Sequence, residues 1–542
     1  MATGDEPENL RPDLAELFER RELAGDSGRP EAVAARHEKG GRTARENLDD
    51  LIDPGSLLEY GRHAVAAQRA RRSAEELRAR TPADGLVSGT ARINGRLFGD
   101  RAACAVLSYD YTVLAGTQGM TGHQKKDRLF ELIRRMKLPT VFFAEGGGGR
   151  PGDTDYAVVS GLDVRAFALW AALSGEVPRI AVVAGRCFAG NAVIAGCADL
   201  IVATENSSIG MGGPAMIEGG GLGSVHPDEV GPIGMQTANG VVDVRVADEA
   251  EAVEVTRKLL AFFQGDTPPG EFADQRELRE VIPERRRRAY DVNEVIGLLA
   301  DRDSVVSLRP GFAPEMVTAF ARIEGRAIGV IANDPMHMAG AITSGGGDKA
   351  ARFMQLCDAF GLPILSLVDT PGMMVGPEAE ATGLVRHCSR LLVTGAGIRV
   401  PFVAVILRRG YGLGAQAMVA GSLLEPLLTV AWPGAELGPM GLEGAIRLGF
   451  RKELERIEDE NEREARVREL TELALDNAKA LNVAAHFEID DVIDPAETRA
   501  AVASTLAAAT ANGAYAPPGL ATAPGDGPEN RGLRSRGFVD TW

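Results

Sequence analysis

Several features that define membrane, secreted and metal-binding proteins are absent from this 542-residue chain. No apolar run approaches the roughly 20 residues of a membrane span, and the acidic start lacks the basic and apolar regions of a secretory signal. The five cysteines are scattered without a Cys-x-x-Cys pair, which argues against a disulfide framework or a structural zinc site. We therefore predict a cytoplasmic protein with no membrane segment, buried reduced thiols and no metal.

Positive charge is in deficit, with 59 Lys and Arg residues against 76 Asp and Glu residues and a net charge of -17. This balance argues against a nucleic acid as the main partner. The local exception is the arginine run at residues 285–288. Most such runs are solvated stretches, and a contact for a phosphorylated ligand or a partner chain is the alternative.

A recognisable catalytic side chain is missing as well. His123, His337 and His387 lie near the motifs described below, but none has a patterned Ser, Cys or carboxylate partner. A lone histidine is more often a packed or surface residue than a catalyst. Any chemistry would therefore rest on backbone amides and on positioning.

Two glycine clusters, at residues 145–150 and 344–348, match neither a Walker A loop nor the Gly-x-Gly-x-x-Gly spacing of a dinucleotide fold. They predict flexible surface loops or, alternatively, a backbone wall along a cofactor or thioester. In the second case Gly146, Gly147, Gly148 and Arg150 would contact the substrate.

What the chain does contain is a repeated motif. Ala91-Arg-Ile-Asn-Gly-Arg96 returns as Ala321-Arg-Ile-Glu-Gly-Arg326. Further matches follow at one constant displacement, pairing Lys125, Arg128, Leu132, Leu138-Pro139 and Glu145 with Lys349, Arg352, Leu356, Leu362-Pro363 and Asp369. A constant displacement over so many matches predicts two copies of one domain.

Short apolar runs at residues 180–184, 200–203, 327–332, 364–368 and 402–407 alternate with helix-length segments. Buried strands separated by helices predict an α/β fold in each half. Helices are also expected before the Pro-Gly pair at residues 54–55 and across residues 451–482. We divide the chain into an N-terminal arm (1–30), an N-terminal domain (31–270), a C-terminal domain (271–515) and a Pro/Gly-rich tail (516–542), with a linker beginning at residue 266.

Each copy ends one buried strand in a turn of small residues, Cys187-Phe-Ala-Gly-Asn-Ala192 and Gly410-Tyr-Gly-Leu-Gly-Ala415. Small residues at such a turn let a ligand approach the backbone, and N–H groups at a helix start point outward. Two amides aimed at a thioester oxygen form an oxyanion hole, worth about 3 kcal/mol per donor. One such turn is more often structural, whereas two in related positions favour a function.

With these turns the sequence resembles the carboxyltransferase (beta) subunits of biotin-dependent acyl-CoA carboxylases, the family of the propionyl-CoA, acetyl-CoA and methylcrotonyl-CoA carboxylases. The resemblance runs from about His37 to Arg499. It rests on a specific series of motifs in a fixed order: Thr43-Ala-Arg-Glu-Asn-Leu-Asp-Asp-Leu-Ile-Asp-Pro-Gly-Ser56, Tyr290-Asp-Val-Asn-Glu-Val-Ile296, Phe320-Ala-Arg-Ile-Glu-Gly-Arg326, Ile331-Ala-Asn-Asp-Pro335, Asp348-Lys-Ala-Ala-Arg-Phe353, Val368-Asp-Thr-Pro-Gly372, Ala431-Trp-Pro433, Met440-Gly441 and Asp490-Asp-Val-Ile-Asp-Pro-Ala-Glu-Thr-Arg499.

The resemblance implies tandem crotonase-like (ClpP/crotonase) domains and transfer of a carboxyl group from carrier-bound carboxybiotin to the α-carbon of an acyl-CoA. Ala189 and Gly190 match the oxyanion hole for the coenzyme A thioester, and Leu413 and Gly414 match the amides that receive the biotin ureido oxygen. The flanking substrate-binding positions are Phe188, Tyr411 and Gln416.

The resemblance also implies partners. No Met-Lys-Met biotinylation box and no ATP-grasp pattern are present, so a separate biotinylated biotin carboxylase/carrier (alpha) subunit is expected. The family forms homo-oligomers, commonly hexamers, and biotin itself serves as the base once its carboxyl group has left.

Departures from the family pattern affect the predicted substrate. The family usually has Ala-Gly-Gly-Ala and Tyr-Gly-Gly-Ala at the two turns, where this chain has Phe188-Ala-Gly-Asn191 and Tyr411-Gly-Leu-Gly414. Together with Ser344-Gly-Gly-Gly347, these changes predict an atypical or larger acyl group. The alternatives are a biotin-dependent decarboxylase subunit and an inactive structural paralogue in a mixed complex. A crotonase hydratase would be about half as long and would need a carboxylate pair.

Overall fold

The computed structural model describes residues 10–156, 160–285, 288–511 and 537–542, without the side chain of Glu443. Over these ranges the chain forms two compact units. The first ends at Gln264, and the second contains Gly265–Asp540 and Trp542. Part of the arginine run and most of the predicted tail lie outside the described residues.

The first unit is built on a mixed sheet with strand order β1-β2-β3-β4-β5-β7-β9. The pairs β1–β2 and β2–β3 are antiparallel, and the pairs from β3 to β9 are parallel. Strands β6 and β8 form a separate parallel pair. The strands are β1 Leu58–Glu59, β2 Leu86–Arg92, β3 Ala103–Tyr109, β4 Thr140–Phe143, β5 Arg179–Val183, β6 Arg186–Phe188, β7 Leu200–Thr204, β8 Ser208–Gly210 and β9 Val244–Val246. The helices are α1 Pro12–Leu23, α2 Pro30–His37, α3 Ala44–Leu51, α4 Ala74–Arg80, α5 Gly95–Phe98, α6 Met120–Met136, α7 Ala166–Ala171, α8 Gly190–Gly196, α9 Pro214–Gly219, α10 Ile233–Ala238 and α11 Glu249–Gln264.

The second unit repeats this plan, with strand order β10-β11-β12-β13-β14-β15-β17 and β16 paired to β14. Its strands are β10 Val306–Leu308, β11 Met316–Ile323, β12 Arg326–Asn333, β13 Ile364–Thr370, β14 Phe402–Tyr411, β15 Leu428–Ala431, β16 Glu436–Gly438 and β17 Asp491–Val492. Its helices are α12 Leu278–Val281, α13 Val292–Leu299, α14 Ser344–Phe360, α15 Pro377–Glu380, α16 Leu384–Ala396, α17 Gly412–Met418, α18 Leu442–Gly449, α19 Arg451–Leu454, α20 Glu460–Ala478, α21 Ala480–Ala485 and α22 Thr498–Ala511.

The repeated sequence motifs occupy equivalent elements in the two units. Helices α6 and α14 carry the repeated lysines, and each is followed by a buried parallel strand. Lys125 Nζ donates to the Ala83 carbonyl at 2.8 Å, and Lys349 Nζ donates to the Phe312 carbonyl at 2.7 Å. The repeated lysine therefore has the same structural role in both units: its ammonium group donates hydrogen bonds to carbonyl oxygens of a loop packed against its helix.

Both units are α/β, as the apolar runs predict, because every one of those runs forms a buried strand. The helix expected before the Pro-Gly pair at residues 54–55 is α3, which Thr43 caps and Glu46 completes as a capping box. Residues 266–270 are not a free linker: Thr267 N–H donates to the Gly325 carbonyl at 3.0 Å. At the C-terminus, Val539 is buried and Asp540 pairs with Arg390 at 2.5 Å.

Membrane-spanning helices and metal clusters are both absent from the described part of the chain. None of its helices combines the length and the apolar character that a bilayer crossing requires. No group of three or more His, Cys, Asp or Glu side chains in those ranges is arranged to hold a metal ion.

Candidate functional site

The first glycine turn joins β6 to α8 through Ala189, whose φ of 51° and ψ of -122° are rarely adopted by a residue with a Cβ. The N–H of Ala189 donates to the Gly210 carbonyl at 3.1 Å, so this amide is engaged within the protein. Gly190 opens the helix, and first-turn N–H groups have no acceptor inside a helix. Of the two predicted donors in this turn, Gly190 is therefore the one whose position suits a ligand oxygen.

Asn191, which follows the turn, is fully buried and connects three loops. Its Oδ1 accepts the Gly148 N–H and the Gln118 side-chain amide, both at 3.1 Å. Its Nδ2 donates to the carbonyls of Gly116 and Glu145, both at 3.4 Å. Asn191, which stands where the resemblance implies a small residue, thus adds hydrogen bonds that hold the turn against its neighbours.

The glycine cluster after β4 lies beside the turn, but the amides of its first three glycines are used internally. The N–H of Gly146 donates to Arg186, that of Gly147 to Ala115 and that of Gly148 to Asn191. A Cβ on Gly146 would lie 2.2 Å from the Gly116 carbonyl oxygen. Close packing therefore explains these glycines, and any contact they make with a substrate would come from their Cα surface.

Arg150 is held by the protein itself. Its guanidinium pairs with Asp84 at 2.5 Å and with Asp153 at 3.5 Å, and donates to the Thr117 carbonyl at 2.9 Å. The side chain is 5% exposed and that of Asp84 is fully buried. This geometry gives Arg150 the role of tying the glycine cluster to the loop before β2.

The second glycine turn joins β14 to α17. Tyr411 is buried and its hydroxyl donates to Glu436 at 2.7 Å, whereas Leu413 and Gln416 are exposed. A Cβ on Gly414 would lie 2.6 Å from the Gly372 carbonyl carbon, so the helix start is pressed against that loop. The turn is therefore open to a ligand on the side of Leu413.

The structure also fixes the register between the two turns. Gly412, with φ of 58°, occupies the position of Ala189, and Tyr411 corresponds to the buried Phe188. Leu413 and Gly414 accordingly correspond to Gly190 and Asn191. The two predicted donor pairs are thus offset by one residue between the two turns.

A buried carboxylate lies just beyond β4 in the first unit and near the end of β13 in the second. Glu145 pairs with Arg36 at 2.7 Å, and Asp369 pairs with Arg409 at 2.6 Å. Burial raises the pKa of Glu145 to about 7 although Arg36 favours its charged form. The repeated acidic residue is therefore a partner for arginine from elsewhere in its own unit.

Two functional candidates were missed by reasoning from sequence, Gln118 and Lys126. Gln118 is buried under Gly190, and Lys126 donates to its side-chain oxygen at 2.6 Å. Neither belongs to a motif, although Lys126, like its neighbour Lys125, is a charged residue on the buried side of an amphipathic helix. Of the three histidines considered, His123 lies on the same helix as Lys126, and burial lowers its pKa to about 3.

Comparisons with known proteins show which family the chain belongs to. The carboxyl transferase domain family matches residues 35–520. The biotin-dependent long chain acyl-coenzyme A carboxylase beta4 subunit of Mycobacterium tuberculosis is 35% identical over 504 residues, covering 90% of this chain and 92% of that protein.

Two solved structures are also similar. A single-chain, multi-domain long-chain acyl-CoA carboxylase has a TM-score of 0.87 and 52% identity over 92% of this chain, which spans only 49% of that protein. The transcarboxylase 12S hexamer with methylmalonyl-CoA bound has a TM-score of 0.81 and 30% identity, covering 94% of this chain and 97% of that one.

Proposed function

The chain belongs to the carboxyl transferase family and is a carboxyltransferase of the biotin-dependent acyl-CoA carboxylase type, and we propose that its first unit binds the acyl-CoA while its second receives biotin. The observation that carries this proposal is the pair of strand-to-helix turns at Gly190 and Leu413 in equivalent places of two similar units. Each unit would have the crotonase-like fold.

In the first unit, Gly190 N–H would donate to the thioester oxygen as negative charge develops on it. Loss of a proton from the α-carbon gives an enolate, and a preformed donor aimed at that oxygen stabilises the enolate more than the thioester. Asn191 and the loop at Gly148 would keep this donor in place, since they cross-link the turn on its buried side. Phe188 and the glycine cluster supply the surrounding wall.

In the second unit, the N–H groups of Leu413 and Gly414 would receive the ureido oxygen of biotin. The fit is reasonable because a ureido oxygen is an acceptor, first-turn amides are donors, and the Leu413 side chain is 61% exposed. When bound, the carboxylated cofactor supplies the carboxyl group that joins the enolate carbon. Tyr411 and Gln416 would flank it.

We further propose a long acyl chain as the preferred substrate. Identity to the long-chain acyl-CoA carboxylase, at 52%, far exceeds the 30% to the methylmalonyl-CoA enzyme. The segment after Gly210 adds a physical reason, since Met211, Met216 and Leu222 are 72%, 63% and 80% exposed. Unbranched, polarisable methionines next to the first turn suit an alkyl chain of variable length.

The proposed assembly is a cytoplasmic homohexamer that works with a biotinylated carrier. The transcarboxylase 12S relative forms a hexamer, which supports the oligomer. The carrier would be a separate alpha subunit or a domain joined to this one, since the single-chain relative is about twice as long as this chain. Five unpaired cysteines fit a reducing compartment.

The reaction is tested by supplying the chain with its biotinylated carboxylase subunit, ATP, labelled bicarbonate and acyl-CoAs of increasing length. We expect label in the acyl-CoA, with the highest kcat/KM for long chains. Label in none of them, from an intact biotinylated complex, would contradict the proposal. Release of CO₂ from a malonyl-type CoA without ATP would then identify a decarboxylase, and inactivity in both assays a structural subunit.

The proposed acyl surface makes its own prediction. In the wild-type enzyme, each methylene added to the acyl chain should raise kcat/KM, by at most about fourfold, because burying one methylene contributes about 0.8 kcal/mol. In a Met211→Ser/Met216→Ser variant, this increase per methylene should be smaller. Short-chain activity should be retained. Met136→Ser is the matched control, because Met136 is also exposed but ends α6 far along the helix from the turn. An unchanged chain-length dependence would remove these methionines from the substrate site.

A further inference from the structure

Lys126 is a fully buried lysine that the proposed reaction does not use. Its Nζ donates to Gln118 Oε1 at 2.6 Å and lies 5.7 Å and 5.6 Å from the ring centres of Tyr109 and Phe167. Among the residues that the structure describes, no carboxylate lies within ion-pair distance of Nζ. Burying an ammonium group with one hydrogen-bond acceptor and two aromatic ring faces around it lowers the stability of the fold.

From Lys126 a chain of hydrogen bonds leads to the first glycine turn. Gln118 accepts from Lys126 and donates from Nε2 to Asn191 Oδ1, which also accepts the Gly148 N–H. The Gln118 amide also lies directly against the turn. A Cβ on Gly190 would lie 3.0 Å from Gln118 Nε2 and 3.1 Å from the Phe167 ring.

Within the described residues, the second unit has no counterpart of this chain of hydrogen bonds. Its repeated lysine, Lys349, corresponds to Lys125, and the residue equivalent to Lys126 is Ala350. The cation is therefore confined to the unit in which negative charge would develop on the thioester oxygen. A fold requirement shared by both units does not explain it.

We propose that Lys126 is a positioning residue for carboxyl transfer, a buried cation that orients the Gln118 amide beneath Gly190 and biases the first turn toward an oxyanion. This inference rests on the proposed function of that turn. A positive charge in a water-excluded region acts over a longer range than in water, and a fixed amide needs no reorganisation during the reaction. The charged form of Lys126 is the active one.

The pH dependence follows from the groups around Lys126. Burial lowers the pKa of Lys126 to about 7, although Asp127 and Asp84 favour its charged form. Burial also holds the pKa of Tyr109 well above its usual value and lowers that of His123 to about 3, so neither titrates near neutrality. Further charges near the site belong to Arg150, which is paired with Asp84 and Asp153, and to Arg165 and Glu131 on the side of Asp127.

Stability and activity should respond to pH in opposite directions. Between about 7 and the ordinary lysine value of 10.5, the unfolded chain holds a proton on Lys126 that the folded chain has lost. The contribution of Lys126 to stability therefore rises with pH over this range. Activity that needs the ammonium falls over the same range, which a purely structural lysine would not produce.

The test compares kcat/KM of the complete enzyme and its Lys126→Met variant from pH 6 to pH 8.5. We expect the wild-type enzyme to be about tenfold faster at pH 6 and nearly equal at pH 8.5, with KM for acyl-CoA little changed; tenfold corresponds to about 1.4 kcal/mol. The quantity to compare is the ratio of wild-type to variant kcat/KM at each pH. Glu145 also has a pKa of about 7, but both enzymes retain it, so its titration cancels in this ratio. A ratio that is independent of pH would overturn the proposal.

Two further variants secure the interpretation. If Lys126→Met does not fold, the double variant Lys126→Met/Gln118→Leu also removes Gln118 Oε1, the acceptor that the single substitution leaves unpaired. The ratio of wild-type to double-variant kcat/KM is then measured over the same pH range. Lys125→Met is the matched control, since this neighbouring buried lysine donates to the Ala83 carbonyl instead and should give a constant ratio. A wild-type complex inactive at every pH would refute the proposed function and this inference together, whereas an active enzyme with a constant ratio refutes the inference alone.

Discussion

Replacement of Gly190 by alanine is expected to lower kcat for carboxyl transfer by about 10²–10³-fold, the usual effect of losing one oxyanion donor. The new Cβ would lie about 3 Å from the Gln118 amide and the Phe167 ring, so the turn must shift to make room. A small displacement of a catalytic donor is enough for an effect of this size. The measurement is steady-state transfer to acyl-CoA, with binding of the acyl-CoA followed separately.

Gly196→Ala is the control for this substitution because Gly196 ends the same helix, α8, and a Cβ there meets no atom within 4 Å. It should leave kcat unchanged. If Gly190→Ala were as active as Gly196→Ala, the Gly190 amide would not be the oxyanion donor.

Replacement of Arg150 by methionine is expected to lower the free energy of unfolding of the first unit by about 3–5 kcal/mol, because Asp84 would be left buried and uncompensated. Burial already raises the pKa of Asp84, so this carboxyl depends on its partner to remain charged. Urea unfolding followed by intrinsic fluorescence measures the loss. A substrate ligand would behave differently, with a higher KM and unchanged stability.

Two variants separate the pair from general effects of removing arginine. Arg165→Met breaks a pair with Glu131 whose side chains are 63% and 43% exposed, and should cost less than about 1 kcal/mol. Arg150→Met/Asp84→Asn removes both charges and should recover part of the loss, since the introduced amide oxygen can still accept the Gly122 N–H. A double variant no more stable than Arg150→Met would contradict a charge-pair origin.

Much of the fold could be predicted because it depends on local pattern. Continuous apolar runs form buried strands whether or not their neighbours are known, and Thr43 with Glu46 specifies the start of α3. The duplication could be recognised because Lys125 and Lys349 have the same structural role and are therefore present in both copies. Each donates to loop carbonyls packed against its helix. The proposed linker after residue 266 was less predictable, since Thr267 pairs with a turn that lies far along the sequence.

The candidate site was predictable only in its backbone. The two turns could be found from their small residues, but the engagement of the Ala189 N–H depends on Gly210, a residue of another strand. Arg150 could be read as a substrate ligand because its charge is visible in the sequence while Asp84, its partner, is 66 positions away. Lys126 and Gln118 belong to no motif. They become functional candidates only because the fold joins them by a hydrogen bond and places the Gln118 amide against Gly190.

The sequence by itself determined the family, the α/β class of each half and the two turns, because these follow from residue order and short-range periodicity. Only the tertiary structure decided which amides remain available, which charges are consumed in pairs and which buried cation adjoins the first turn. The physical reason is that hydrogen bonding and burial depend on contacts between residues distant in the chain. A carboxylate, an amide or an ammonium has the same chemical identity everywhere, and its surroundings decide what it does.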